Sequence, residues 1–235
     1  MPYGMMGMGY YMDPTWILVI IGAVLSMIAS ARVSSTFNKY SKVRSMTGMT
    51  GAQAASRILN QAGIYDVRIE HIRGTLSDHY DPRTRVLRLS DMVYRGNSIS
   101  SSAIAAHEVG HAIQHARDYA PLRFRNAIVP VVNFASNLSW LFILAGLFLS
   151  FTGLIDIGII LFTGSVVFQI VTLPVEFNAS SRALDELESV GVLTREEIPH
   201  SKKVLDAAAL TYVAATATAV AQLVRLLLLR ERSRD

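Results

Sequence analysis

The chain has 235 residues, 51% of them hydrophobic and 17% charged, and carries a net charge of +4. Soluble domains carry about 25% charged residues, so this composition and a mean hydropathy of +0.34 exclude an ordinary soluble protein. The absence of cysteine excludes disulfides, thiolate metal sites and a cysteine nucleophile.

Four uncharged runs divide the chain: 15–31, 126–155, 157–175 and 207–224. A spanning helix needs about 20 apolar residues. The first run is short but sufficient, and the middle two are strong. The fourth is diluted by Ala and Thr and interrupted just afterwards by Arg225. The first run ends in Ala29-Ser30-Ala31, which resembles a signal-peptide cleavage site. No Lys or Arg precedes it, however, and a signal peptide opens with basic residues, so residues 1–31 are expected to form a retained anchor.

Fourteen Lys and Arg lie in 32–126 and four in 174–206, with none in 1–14 or between the second and third runs. The positive-inside rule then places 32–126 on the cytoplasmic side and the N-terminus outside. The basic residues therefore read as a topology signal, and no nucleic-acid partner is expected. Four complete crossings would export the tail LLLLRERSRD, against the same rule, so three to four transmembrane helices are expected.

Between the first two runs, Thr50 is placed to cap a helix ending near Gln61, with Gly63 as its stop. The alternation in Val67–Ile72 predicts a strand. In LSDHYDPRTRVLRLS, Asp81-Pro82 predicts a turn joining two short strands. A Ser-rich link, GNSISSS, leads into the helix AIAAHEVGHAIQHA. Residues 126–173 predict a hairpin of membrane helices turning near Thr152-Gly153. LPVEFNASSRALDELESV predicts a separate helix from Pro174 to just before Gly191.

HEVGH carries the chemistry. Residues four apart on a helix project in nearly the same direction, so His107 and His111 can grip one Zn²⁺. Glu108 sits beside them, off the ligand axis, as general base. A polar helix face with ordinary hydrogen bonds is the plain alternative. Gly110 weighs against it, because a mid-helix glycine costs about 1 kcal/mol unless another helix or a substrate must approach there. His115 is rotated about 80° from His107 and is expected outside the site, on the surface or bonded to a neighbouring group.

A catalytic zinc takes three protein ligands and leaves a fourth place open. The candidates for the third are His71, His79, His200 and the carboxylates. Glu176, at the end of the third run, is placed best, since the intervening hairpin returns the chain to the side it left. A solvated boundary charge would explain its position equally well.

SDHYDP, VLRLSD, SISSSAIAAHEVGHAIQHA and LPVEFNASSRAL together resemble the YugP-type neutral zinc metallopeptidases of prokaryotic membranes, over nearly the whole chain. More distantly, the layout is similar to the HtpX and CAAX-processing proteases. The resemblance implies that Glu176 is the third ligand. It places Ser180 where those relatives carry an Asp, with Asn178 or Arg182 as possible substitutes. In gluzincins an edge strand before the histidine helix holds the substrate as an added strand. Arg85–Ser90 occupies that place in the chain, and His79 or Tyr80 is expected near the zinc as an oxyanion stabiliser.

The expectation is a mainly α membrane protein with a small α+β zinc-protease subdomain. Its parts are an anchor (1–31), the HExxH subdomain (32–125), a transmembrane hairpin (126–173), a third-ligand helix and loop (174–206) and a C-terminal hydrophobic helix with a basic tail (207–235). One Zn²⁺ would be held by His107, His111 and Glu176, with Glu108 and His79 catalytic, acting on a peptide or membrane-protein substrate at the cytoplasmic face of a prokaryotic membrane. A site-2-type intramembrane protease fits less well, because Arg117 and Asp118 flank the motif and Leu184-Asp185 is followed by Glu186 rather than Gly. A di-iron desaturase would need about eight histidines against the six present. A zinc-stabilised adaptor would need a fourth protein ligand.

Overall fold

The computed structural model describes residues 13–232. The first twelve residues of the expected anchor and the last three of the basic tail lie outside the described residues. Seven helices and a small sheet follow in order: α1 (Trp16–Tyr40), α2 (Gly51–Gln61), β1 (Arg68–Ile72), β2 (His79–Asp81), β3 (Val86–Ser90), α3 (Asp91–Tyr94), α4 (Ile99–Ala116), α5 (Ala120–Phe148), α6 (Thr152–Ser189) and α7 (Ile198–Arg232).

The helices α1, α5, α6 and α7 are each long and apolar enough to cross a membrane. They pack as a bundle, α5 against α6 as an antiparallel hairpin and α7 against both α1 and α6. Their outer faces carry exposed Ile20, Ile21, Met27, Val131, Phe134 and Phe148. A soluble monomer rarely presents a continuous apolar surface of this kind, whereas hydrocarbon is its natural solvent.

Helix length then positions the rest. At 1.5 Å per residue, the 38 residues of α6 and the 35 of α7 span about 57 and 52 Å. The hydrocarbon core is about 30 Å thick. Both helices therefore overshoot at the end where the chain between α1 and α5 folds, and their protruding halves form part of the small domain. This corrects the expected division at residue 174. Pro174 is interior to a continuous helix, not the start of a new one. Proline removes one backbone N–H, and packing on both sides carries the helix through.

The small domain builds its core from α2, α4, the sheet and the protruding end of α6. Ile58, Leu87, Leu89, Val109, Ile113 and Leu187 are fully buried there, each worth about 1.5–3 kcal/mol in transfer free energy. Thr50 caps α2 through a reciprocal box with Gln53, and Gly63 follows in the left-handed conformation (φ 72°). The sheet order is β1-β3-β2, with β1 parallel and β2 antiparallel to β3. Residues 86–90 thus supply the central strand, both of its sides occupied, and β1 and the three-residue β2 are the edge strands. The serine run also differs from expectation. Ser98 caps α4 through the Ser101 amide, while Ser100, Ser101 and Ser102 are already helical and buried. The Ser100 hydroxyl donates to the Phe37 carbonyl and the Ser101 hydroxyl to that of Met92, which ties α4 to α1 and α3.

Candidate metal centre

The helical pitch of α4 brings the His107 and His111 rings edge to face, with centroids 4.8 Å apart. Glu176 reaches them from α6, its Oε2 lying 3.3 Å from His107 Nε2 and 3.5 Å from His111 Nε2. Gly110 makes the approach possible. A Cβ there would lie 2.6 Å from the Ala179 carbonyl oxygen, so the two backbones all but touch beside the cluster. The cost of a mid-helix glycine is the cost of that contact.

The far sides of both rings are anchored. Gln114 is fully buried, and its amide nitrogen donates to the Val175 carbonyl at 2.8 Å and to Asn178 Oδ1 at 3.0 Å. Its Oε1 is therefore the atom facing His111 Nδ1 at 3.0 Å. A carbonyl only accepts, so Nδ1 carries the proton and Nε2 presents a lone pair. Ser180 Oγ lies 3.1 Å from His107 Nδ1, and its hydroxyl oxygen can accept from that ring in the same way. Ser180 itself, rather than Asn178 or Arg182, is thus the side chain that meets His107. Asn178 acts on His111 through Gln114, and Arg182 Nε donates to Asn178 at 2.8 Å.

These residues fit a cation. Glu176 Oε2 is buried with no hydrogen-bond partner. Two imidazole lone pairs and a carboxylate oxygen then face one point, all within 4.8 Å of one another. Such an arrangement repels itself until a positive ion sits between, and this donor set with one position to spare suits zinc.

Glu108 points aside. Its Oε2 accepts from the Tyr80 amide on the free edge of β2 at 3.0 Å. Burial pushes its carboxyl up to about 7; His107 opposes the shift, Glu176 and Asp78 add to it, and the Tyr80 hydrogen bond opposes it again. A carboxyl poised there can both take up and return a proton near neutral pH. Glu108 and His107 share the wall of a cavity of about 200 Å³ with Phe37 of α1 and with Val204, Leu205 and Tyr212 of α7.

Tyr212 was not among the residues expected from the sequence. It faces the cavity whose wall also holds His107 and Glu108. Its only sequence signal is a lone phenol in an Ala/Thr-rich apolar run. Asp78 lines the same cavity but is committed to Ser90, accepting from its amide at 2.7 Å and its hydroxyl at 3.0 Å.

The other histidines lie apart from the cluster. The His79 ring turns to the Ser77 carbonyl (2.9 Å) and Arg88 (3.4 Å) and lines a different cavity with Asn126 and Asn133 of α5. His115 pairs with the Tyr80 hydroxyl at 2.8 Å, and burial pushes that phenol up to about 12, so it stays protonated. His71 bonds Asp91, and His200 stacks on Tyr40.

Four membrane-length helices and a His-His-Glu cluster stand together in a chain that belongs to the family described as "Putative neutral zinc metallopeptidase", whose model matches residues 15–231. Among curated proteins it is similar to the "Putative membrane protease YugP" of Bacillus subtilis (strain 168). The two are 51% identical over 218 residues, covering 93% of this chain and 97% of the other. No solved structure matches.

Proposed function

We propose that this chain is an integral-membrane zinc endopeptidase whose active site faces the cytoplasm. The carrying observation is the convergence of His107, His111 and Glu176 on one point, with the proton-accepting Glu108 beside them on a cavity wall. His107, His111 and Glu176 would hold the ion. Bound zinc supplies Lewis-acid polarisation of a carbonyl and acidifies water.

The chain's own residues do the rest. Ser180 and Gln114 keep the imidazoles aimed. Glu108 takes the proton of the attacking water and returns it to the leaving amine. Three ligands beside an accessible cavity favour catalysis over a purely structural ion, which would be enclosed by four. The glutamate ligand and a motif helix outside the apolar spans favour this class over a site-2-type protease. The side assignment rests on the basic residues between α1 and α5. The apolar cavity wall supplied by α1 and α7 suits a peptide or a segment of a membrane protein.

The test is Glu108→Gln in the full-length protein. It should retain about one zinc per chain and lose peptide cleavage. Cleavage at the wild-type rate by a zinc-loaded Glu108→Gln protein would refute the assignment.

A further inference from the structure

Arg125 stands five residues into α5, across the hairpin from α6, and its Nη1 donates to Glu176 Oε1 at 3.0 Å. The Arg125 side chain is 22% exposed and that of Glu176 only 4%. The two carboxylate oxygens therefore have separate assignments. Oε1 belongs to a guanidinium, and Oε2 faces the imidazoles with no hydrogen-bond partner of its own. We infer that Arg125 is a positioning residue of the metal centre, dividing the Glu176 carboxylate so that a single oxygen is offered to the ion.

This inference rests on the reading of the cluster as a metal site. A carboxylate without the arginine could rotate or present both oxygens. A charge-assisted hydrogen bond is about twice as strong as a neutral one, and a guanidinium remains charged at any working pH. Lysine would retain the charge but not the planar geometry. The third ligand is thus oriented from a neighbouring apolar helix, not from the helix that carries the motif.

The experiment uses full-length protein in detergent. Zinc affinity is measured by chelator competition, and the visible spectrum of Co²⁺ in place of zinc reports coordination number. Arg125→Met should weaken zinc binding 10–100-fold, the range for lost partners of metal ligands. It should also shift the cobalt spectrum toward higher coordination as the second oxygen is released. Arg125→Lys should fall between Arg125→Met and wild type. In a Glu176→Ala background, Arg125→Met should cause no further loss. Should Arg125→Met fail to fold, Arg125→Lys and its Glu176→Ala double variant carry the same comparison. A wild-type affinity and cobalt spectrum in the tested Arg125 variant would overturn the inference, as would an equal loss with Glu176 absent. A wild-type protein that binds neither ion would overturn the metal reading itself and this inference with it.

Discussion

Replacing Gly110 with alanine tests whether the contact between α4 and α6 sets the geometry of the cluster. The new Cβ would lie 2.6 Å from the Ala179 carbonyl oxygen, 3.1 Å from its carbon and 3.2 Å from its Cα. Ordinary contact begins near 3.4 Å, so the helices must separate by about 0.8 Å. All three obstructing atoms are backbone and cannot rotate away. Alanine would return about 1 kcal/mol of helix propensity, but overpacking costs about 1–3 kcal/mol, leaving a net loss of up to about 2 kcal/mol. The larger effect falls on the metal. Ligand distances tolerate about 0.2 Å, and Glu176 rides on the helix that is displaced. Zinc affinity should therefore fall by at least tenfold, more steeply than stability. Thermal unfolding of the metal-free protein and chelator competition measure the two quantities separately. An unchanged zinc affinity with a raised melting temperature would show that α4 and α6 accommodate the methyl group, and would remove Gly110 from the design of the site.

Other outcomes follow from the same geometry. Glu176→Ala should strip most of the zinc, as His107→Ala and His111→Ala would, whereas His200→Ala, which loses only its stacking on Tyr40, should bind normally; atomic absorption on the four purified variants decides. Gln114→Leu removes the acceptor that fixes the His111 tautomer and should weaken zinc 10–100-fold, and Ser180→Ala should do the same through His107, both read by chelator competition. His79→Ala should leave kcat near the wild-type value, because its ring faces a separate cavity beside α5; a steep fall in kcat would return His79 to the reacting centre. Zinc at one hundred times its Kd should stabilise the fold by about 2.7 kcal/mol, an increment that Glu108→Gln keeps and Glu176→Ala loses in thermal melts.

Much of this was legible along the chain because the relevant physics is short-range. Uncharged runs announce spans through transfer free energy alone. The i, i+4 spacing of His107 and His111 fixes their common direction through helical pitch, and the Thr50 box and the Asp81-Pro82 turn are decided by neighbouring residues. Sequence position could make Glu176 the best-placed third ligand, but only packing brings its Oε2 to the two imidazoles. The same holds for Ser180 against His107, Gln114 against His111, Arg125 behind Glu176, and Tyr212 arriving from a helix about a hundred residues away. The misplaced features share one cause. Pro174 reads locally as a helix start, yet contacts along both flanks hold α6 continuous through it. Residues 85–90 precede the motif as an edge strand would, yet strand order is set by which partners fill both sides, and β1 and β2 fill them. A chain's local pattern fixes the direction in which each side chain leaves its own element, while the meeting of elements depends on contacts between residues far apart in sequence, whose energies no local window contains.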